Sequence, residues 1–251
     1  MTTATTAAGK FVWHEQVSSD PQQAQAFYGD LFGWETEEFK AGENDYTMIS
    51  SGGTNHGGYG TAIEGAPPPH WLAHVRIENL DETLEKAKAA GGSIAAGPFD
   101  MEEVGRMAII RDPQGAFISA YQSAQDGPPA EGVFVWDELG TTDADAAQRF
   151  YEAVFGWTTT DPGPEYGGYR IFNVGETGVA GFMGLPDGST LPHWQPYVAV
   201  DDVDDTVTRG RGLGASVVVD PMDVPQVGRI AVLNDPQGAT FGIIKPQPQS
   251  S

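Results

Sequence analysis

FVWHEQVSSDPQQAQAFYGDLFGWET, residues 11–36, decides the fold, because it returns as FVWDELGTTDADAAQRFYEAVFGWTT, residues 134–159, an offset of 123 (134 − 11 = 123). At the same offset, the PHW of 69–71 matches the PHW of 192–194. Likewise, VGRMAIIRDPQGA, which begins at Val104, matches VGRIAVLNDPQGA, which begins at Val227. The alignment needs no gap, and all six tryptophans fall in matching pairs. The chain is therefore a tandem repeat of one domain.

The repeat predicts the organisation of the chain. We expect a disordered leader at 1–10, a first domain at 11–122, a linker at 123–133 and a second domain at 134–246. The linker contains Pro, Gly and charged residues without apolar periodicity. The leader lacks the basic segment and apolar run of a secretory signal, so we expect a cytoplasmic protein.

Composition excludes several classes of function. The 251 residues include 13 Lys+Arg and 35 Asp+Glu, for a formal net charge of −22. Such a negative field repels nucleic acid and anionic membrane surfaces, so we expect neither as a partner. The chain has no Cys, which excludes disulfides, thiolate metal sites and cysteine nucleophiles. No apolar run approaches the ~20 residues that would span a bilayer.

Local patterns predict mixed α and β structure. Residues 11–18 alternate as a strand does, and Asp20-Pro21 supplies a helix N-cap followed by proline at the first helical position. An apolar stripe at helical spacing follows, and Gly33 ends the helix. Further strands are predicted at 46–51, 57–62, 70–78, 93–96, 106–111 and 116–122, with a second helix at 80–90. The order strand, helix, strands therefore occurs twice in each repeat.

The FYGDLFGW and FYEAVFGW segments on the first helices, together with the DPQGA turns before the last strands, resemble the vicinal oxygen chelate superfamily. This superfamily includes glyoxalase I, extradiol dioxygenases, and the bleomycin and fosfomycin resistance proteins. The resemblance covers both repeats. It implies an α+β fold in which four βαβββ modules form two tandem domains with cupped, half-open mixed sheets around a ligand site.

Metal-dependent members hold a divalent ion with His, Gln or Glu side chains on the cupped face. Carried onto this chain, the ligand positions are Trp13, Leu72, Trp136 and Gln195 on first strands, Ser119 and Gly242 on last strands, and the neighbourhoods of Gly58 and Gly181. Only Gln195 can coordinate a metal, and one neutral amide cannot hold a divalent ion in water. We therefore expect neither a metal nor another cofactor.

Strand alternation predicts which side chains share the cupped face. The ligand-binding candidates are Trp13, Glu15, Leu72, His74, Arg76, Ser119, Tyr121, Trp136, Glu138, Gln195 and Tyr197. The two indoles either line an open pocket, where they stack on a planar guest, or fill a vestigial site. Glu15 and Glu138 either pair with Arg106 and Arg229 or contact the ligand.

Histidines offer acid–base chemistry. His74 is the candidate catalytic acid or base, because an unperturbed imidazole titrates near neutrality; the alternative is a hydrogen-bonded interior side chain. Its counterpart in the second repeat is Tyr197, so such chemistry would be confined to the first repeat. We expect His14 on the opposite face, His70 and His193 of the two PHW segments to fix the entry loop, and His56 to lie in a loop.

We therefore predict metal-independent binding of an aromatic or apolar small molecule, by a monomer or homodimer. Whether the protein is an enzyme stays open. One alternative is a metal-free cyclase, isomerase or hydroxylase-like enzyme acting on a secondary metabolite, with His74 as acid or base and Glu15 or Arg76 orienting the substrate. Others are glyoxalase-type detoxification of methylglyoxal and a scaffold whose cups are filled.

Overall fold

The computed structural model describes residues 8–41, 44–62, 67–102, 104–125, 132–185 and 191–247. Most of the predicted leader and the middle of the predicted linker lie outside these residues. The described residues form sixteen strands, four α-helices and one short 3-10 helix, Pro164–Tyr166. None of these helices is long and apolar enough to cross a membrane.

Each repeat contains eight strands and two α-helices. The first consists of β1 (Phe11–Ser18), α1 (Pro21–Phe32), β2 (Glu35–Ala41), β3 (Asn44–Ser51), β4 (Thr54–Thr61), β5 (His70–Arg76), α2 (Leu80–Ala89), β6 (Ser93–Met101), β7 (Gly105–Arg111) and β8 (Phe117–Ser123). The second consists of β9 (Phe134–Thr141), α3 (Ala144–Phe155), β10 (Thr158–Thr160), β11 (Arg170–Val174), β12 (Thr177–Gly184), β13 (His193–Ala199), α4 (Val203–Gly212), β14 (Ser216–Val224), β15 (Gly228–Asn234) and β16 (Thr240–Pro246).

The strands of each repeat form one mixed sheet. The orders are β2-β3-β4-β1-β5-β8-β7-β6 and β10-β11-β12-β9-β13-β16-β15-β14. Strand, helix and three strands recur four times along the chain, which confirms the predicted α+β fold of four βαβββ modules. Strand β2 is absent from the sequence prediction. Its residues, ETEEFKA, are mostly charged, and the strand lies at the edge of its sheet, where one side needs no strand partner.

The predicted helix ends are confirmed. Asp20 caps α1 by accepting a hydrogen bond from the backbone N–H of Gln23 at 3.1 Å, and Pro21 takes the first helical position. Gly33 ends this helix with a left-handed φ of 71°. In the second repeat, α3 has the same arrangement, with Asp143 as N-cap and Gly156 at a φ of 70°.

The chain packs as two compact units, each of which takes segments from both repeats. The first unit comprises the described residues of 1–13, 72–130 and 137–194, and the second comprises those of 14–71, 131–136 and 195–251. The predicted boundaries at 11–122 and 134–246 mark the repeats in the sequence. Whether each repeat is also a domain that folds on its own stays a prediction. Each compact unit combines half of one repeat with half of the other.

The core of the first unit contains side chains from α2, its neighbouring strands and the first half of the second repeat. Its large members include Leu80, Ile110, Ile118, Leu139, Phe150, Tyr151, Phe172 and Phe182. In the second unit, α1 contributes beside the last strands of the second repeat. The large members there include Phe27, Tyr28, Leu31, Trp71, Val207, Leu233, Phe241 and Ile243. Burial of each such side chain contributes about 1.5–3 kcal/mol to stability.

A buried hydrogen-bonded chain runs through the core of the first unit. Trp194 Nε1 donates to the Tyr151 hydroxyl at 2.9 Å, and this hydroxyl donates to Asp112 Oδ2 at 3.0 Å. Asp112 begins the DPQG turn, and its Oδ1 accepts the backbone N–H groups of Gln114, Gly115 and Ala116 at 3.0, 2.6 and 2.8 Å. The repeated sequence motifs thus meet in one structural network.

The second unit contains the matching chain. Trp71 Nε1 donates to the Tyr28 hydroxyl at 3.0 Å, and this hydroxyl donates to Asp235 Oδ2, also at 3.0 Å. Gln16 Nε2 adds a further hydrogen bond to the same carboxylate oxygen at 3.2 Å. The FY and DPQG motifs, on which the family resemblance rests, and the repeated PHW therefore have a structural role in both units.

Candidate functional site

All predicted ligand-binding side chains lie on the side of their sheet that points away from the helices, which we call the helix-free face. In β8, Ile118 and Ala120 belong to the core beside the helices, so the alternating Ser119 and Tyr121 lie on the helix-free face. The other candidates follow by strand alternation and register. The predicted face assignment therefore agrees with the structure, while ligand contact stays a prediction.

The most buried polar pair on this face is His74 and Ser119 in the first unit. The two residues are register partners in the parallel pairing of β5 with β8. His74 is 4% exposed and Ser119 is 0% exposed, and Leu72, two residues before His74, is also buried. Ser119 Oγ has no hydrogen-bond partner among the described residues. A buried hydroxyl in this state costs about 1–3 kcal/mol, so it is a candidate ligand contact.

The neighbouring pair, Arg76 and Tyr121, is engaged with the backbone. The Tyr121 hydroxyl donates to the carbonyl oxygen of Val104 at 2.7 Å, and Arg76 Nη2 donates to the carbonyl oxygen of Gln125 at 2.8 Å. Both side chains are half-buried. The Arg76 bond ties the segment that follows β8 to β5, and the Tyr121 bond ties β8 to the residue before β7.

In the second unit, Glu15 lies beside two glycines of β4. Its register partner on β4 is Gly58, and a Cβ atom added at Gly60 would collide with the Glu15 carboxylate. The Tyr46 hydroxyl donates to Glu15 Oε2 at 3.0 Å. Burial raises the pKa of Glu15, and the Tyr46 hydrogen bond opposes part of this rise. The carboxyl group of Glu15 is thus partly shielded from water and is positioned by the hydrogen bond from Tyr46.

The predicted pairing of Glu15 with Arg106, and of Glu138 with Arg229, is wrong. Arg106 Nη1 is 2.9 Å from Asp81 Oδ2 and its Nε is 2.6 Å from Asp100 Oδ1. Arg229 forms the matching pairs in the second unit, with Asp204 at 2.6 Å and Asp223 at 3.2 Å. The guanidinium groups reach the acidic first turns of α2 and α4, where partly exposed pairs need no desolvation of a buried charge.

Glu15→Gln is expected to raise stability at neutral pH and to weaken its pH dependence. Because burial raises the pKa of Glu15, the folded protein binds this proton more tightly than the unfolded chain does. The stabilising contribution is therefore complete below the unfolded pKa, about 4.3, and is lost as pH rises through the folded value. Glutamine keeps an oxygen that accepts from Tyr46 but carries no charge.

Thermal unfolding of both proteins between about pH 4 and pH 8 measures this difference. The melting temperature of the variant should exceed that of the wild type at pH 8, and the gap should close toward pH 4. Equal melting temperatures across the range would show that the carboxyl group is as well solvated in the fold as in the unfolded chain.

Three of the positions at which the resemblance places carboxylate ligands are glycines covered by aromatic side chains. A Cβ atom at Gly58 would collide with the hydroxyl of Tyr46, and one at Gly242 would collide with the ring of Tyr197. The third such pair is Gly181 beneath Tyr169. The space that a metal-binding glutamate would occupy is therefore filled by a phenol, and no longer side chain fits there without displacing it.

The residues present do not fit a metal ion. In the described part of the chain, no three His, Cys, Asp or Glu side chains lie together as a ligand set. The sole predicted metal-capable residue, Gln195, is buried, and its Nε2 donates to the Tyr197 hydroxyl at 3.3 Å. A divalent ion needs several converging oxygen or nitrogen donors, whereas the ligand positions on the helix-free faces hold two indoles, three glycines, a leucine, a serine and a single amide.

The two indoles at first-strand ligand positions are both half-buried. Trp136 packs against a separate apolar cluster of the second unit that contains Tyr197, Val232 and Ile244. Trp13 occupies the equivalent position in β1, within the first unit. A half-buried indole keeps part of its apolar surface accessible, and aromatic side chains are suited to contact with a planar or apolar molecule.

The other histidines and Glu138 lie outside the His74 and Ser119 pair. His70 and His193 each place Nδ1 2.8 Å from a carbonyl oxygen in the preceding loop, so the shared PHW fixes that turn as expected. His14 is buried on the helix side against Phe134, with ring centroids 4.2 Å apart. His56 lies in β4, not in a loop. Glu138 is half-buried beside Gly181.

A shallow pocket of about 490 Å³ lies at the β6–β7 hairpin and the end of β8. Asp100, Arg106 and Gln122 are among its lining residues, and none of the predicted ligand-binding residues is. Arg106, the one basic residue of the lining, is already paired with two aspartates, so it is not available to pair with an anionic ligand. The pocket therefore does not replace the helix-free faces as the candidate site.

Family models match both repeats. A model described as Glyoxalase/Bleomycin resistance protein/Dioxygenase superfamily matches residues 10–119, and one described as Glyoxalase-like domain matches residues 134–244. "Putative glyoxylase CFP32" of Mycobacterium tuberculosis is 35% identical over 247 residues, covering 94% of this chain and 95% of that protein. "Anthracycline biosynthesis protein DnrV" of Streptomyces peucetius is 33% identical over 259 residues, covering 95% and 94%.

Solved structures show the same fold at low identity. The Mn(II)-bound glyoxalase from Novosphingobium aromaticivorans matches with a TM-score of 0.67 and 14% identity, covering 95% of this chain and 82% of that one. The 2,3-dioxygenase LapB from Pseudomonas sp. KL28 matches with a TM-score of 0.63 and 14% identity, covering 99% and 97%. At this identity the likeness concerns the fold alone, and the side chains of the helix-free faces must be judged in this chain itself.

Proposed function

Because the chain belongs to the glyoxalase/bleomycin resistance protein/dioxygenase superfamily, we propose that it uses the ligand-binding faces of this fold to hold an aromatic or apolar small molecule without a metal ion. The observation that carries the proposal is the replacement of the expected metal ligands by indoles and by glycines that aromatic side chains cover. This exchange removes the donors of a cation site and leaves surfaces that favour flat, apolar guests.

The apolar cluster in the second unit supports this choice of ligand class. Tyr197, Val232 and Ile244 are buried together, and Trp136 packs on them while remaining partly accessible. Val219 and Ile230 extend the cluster. Burial of apolar surface against such side chains contributes about 25 cal/mol per Å², so a ring system gains affinity there without charge pairing.

The name of one relative supports the same ligand class. DnrV is named as an anthracycline biosynthesis protein, and anthracyclines are polycyclic aromatic compounds. We therefore propose an aromatic secondary metabolite as the ligand class for this chain. The overall charge of −22 favours a neutral or cationic ligand over an anionic one.

Trp13→Leu and Trp136→Leu are expected to weaken binding of an aromatic probe. Stacking on an aromatic side chain contributes about 0.5–1.5 kcal/mol beyond buried area, so each affected site should lose about 2- to 13-fold in affinity. Isothermal titration calorimetry with 1-naphthol in EDTA measures this effect. Val227→Ala, which shortens an exposed apolar side chain in another part of the second unit, is the matched control and should bind as the wild type does.

Titrations in a buffer without EDTA, after the protein has been stripped of metal and the chelator removed, test metal independence. Mn²⁺, Ni²⁺, Zn²⁺ and Fe²⁺, each added alone, should show no tight stoichiometric binding, and addition of Mn²⁺ should leave the affinity for 1-naphthol unchanged. Stoichiometric high-affinity binding of any of these ions would overturn the metal-free proposal. Failure of 1-naphthol, naphthalene and anthraquinone alike to bind would overturn the aromatic-ligand proposal and favour a scaffold with filled faces.

A second candidate function is an enzyme that works without a metal. The observation in its favour is His74, which is buried on a helix-free face next to the Ser119 hydroxyl and so can exchange a proton with a bound molecule. Turnover that survives His74→Ala on a genuine substrate would exclude this role. The relative named as a glyoxylase also makes methylglyoxal adducts worth assaying, with and without added metal.

A further inference from the structure

The hydroxyl of Ser119 is the starting point, because it is fully buried on the helix-free face and has no hydrogen-bond partner among the described residues. Its register partner across the parallel pairing is His74, and its antiparallel partner on β7 is Ile109. Leu72 is buried two residues before His74 on the same face. One hydroxyl and one imidazole are therefore buried together on this face, where a hydrogen bond is stronger than in water.

The second repeat shows what this position looks like without the polar pair. At the offset of 123, His74 corresponds to Tyr197 (74 + 123 = 197) and Ser119 corresponds to Gly242 (119 + 123 = 242). The Tyr197 ring covers Gly242 so closely that no Cβ atom fits. At these two matching positions, the second repeat has a tyrosine ring packed on a glycine, and the first repeat has an imidazole beside a hydroxyl.

A serine hydroxyl can both donate and accept a hydrogen bond, and so can a neutral imidazole. A ligand hydroxyl that donates to one of them and accepts from the other satisfies both. A methyl ether can only accept, and a hydrocarbon does neither. The pair therefore discriminates between aromatic ligands that have equal area but differ in one oxygen substituent.

We infer that the small molecule carries a phenolic or enolic hydroxyl, which Ser119 and His74 bind on the helix-free face of the first repeat. This inference rests on the proposed function and narrows its ligand class. The second repeat accepts apolar surface without this selectivity, because Tyr197 and Gly242 take the place of the pair.

The test compares 1-naphthol, 1-methoxynaphthalene and naphthalene by isothermal titration calorimetry on the full chain. The wild type should prefer 1-naphthol over 1-methoxynaphthalene about 2- to 13-fold, the value of one net hydrogen bond. Ser119→Ala should remove most of this preference and leave the affinity for naphthalene unchanged. The ¹⁵N resonances of the His74 ring should shift when 1-naphthol binds and stay in place when naphthalene binds.

The chain supplies its own matched controls. The double variant His74→Tyr with Ser119→Gly copies the second repeat and should lose the preference for 1-naphthol. The reverse variant, Tyr197→His with Gly242→Ser, should add a second hydroxyl-selective site and raise the stoichiometry for 1-naphthol. Melting temperatures of all variants show which of them are folded, and Ser119→Ala removes a single oxygen atom, so it provides the decisive comparison if a double variant fails to fold.

The outcomes separate this inference from the proposed function. If 1-naphthol and naphthalene bind but Ser119→Ala keeps the full preference, the inference fails and the aromatic-ligand proposal stands. If the wild type shows no preference, Ser119 holds at most a water molecule, and the inference fails in the same way. If none of the three probes binds, the proposed function and the inference both fail.

Discussion

Replacing Asp112 with alanine is expected to lower the free energy of unfolding by about 3–5 kcal/mol. The Asp112 carboxylate accepts three backbone N–H groups of its turn and the hydroxyl of Tyr151, and the residue is 3% exposed. Alanine leaves these donors without an acceptor in a place that water scarcely reaches. The turn also loses the side chain that fixes the start of β8. Urea unfolding followed by tryptophan fluorescence measures the loss.

Two graded variants identify the source of this effect. Tyr151→Phe removes one hydroxyl, which links Trp194 to Asp112, and should cost about 1–2 kcal/mol. Asp112→Asn keeps an oxygen that can accept the backbone N–H groups of the turn. Its loss of unfolding free energy should lie between the losses of Tyr151→Phe and Asp112→Ala. Burial raises the pKa of Asp112 despite its hydrogen bonds, so the charge itself is not what stabilises the fold.

Asp235→Ala should repeat the result in the second unit, where the same chain runs through Tyr28 and Trp71. A loss below about 1 kcal/mol for both alanine variants would mean that the turns satisfy their backbone groups in another way. It would then follow that the DPQG motif is retained for a reason other than this network.

Local structure in this chain was predictable because it depends on neighbouring residues. Asp20, Pro21 and Gly33 mark the ends of α1, and strand alternation assigns the candidate residues to the helix-free face. The partners of the motifs were not predictable in the same way. Tyr28 lies 207 residues from Asp235 in sequence, and a pattern of spacing within one repeat does not show that the other repeat supplies the acceptor.

The wrong ion pairs have a related cause. Arg106 follows a repeated glycine and was matched to Glu15 because both recur, yet 35 acidic residues compete for 13 basic ones. Arg106 pairs with Asp81 because the fold places the first turn of α2, which contains Asp81, within reach of the guanidinium group. Recurrence in both repeats therefore does not identify the partner of a residue.

The content of the candidate site was predictable only in part. The sequence shows that Gly58 and Gly242 stand where metal ligands are expected, whereas only the structure shows that Tyr46 and Tyr197 fill that space. The burial of Ser119 likewise depends on packing, because its strand alternates normally and carries no distinctive signal. Three-dimensional contacts thus decide whether a missing ligand leaves a cavity or a filled position.

Separation of the two repeats is expected to have the largest effect, namely loss of the folded monomer. The core of the first unit joins Leu80 and Ile118 of the first repeat to Phe150 and Phe182 of the second. A fragment of residues 1–125 keeps one half of each core and would expose the rest. Each fully buried large side chain contributes about 1.5–3 kcal/mol, so exposing several of them exceeds the ~5–15 kcal/mol by which a domain is stable.

The experiment expresses residues 1–125 and 132–251 separately and together. Alone, each fragment should either lack a cooperative unfolding transition or associate into a dimer, in which a second copy supplies the missing half of the core. Together, they should elute as one 1:1 complex with the circular dichroism spectrum of the intact chain. Insertion of a protease site between residues 125 and 132 provides the control, because cleavage after folding should leave the two pieces bound. A monomeric fragment 1–125 with native-like cooperative unfolding would show that the repeat, and not the compact unit, is the folding domain, and the boundaries at 11–122 and 134–246 would then describe it.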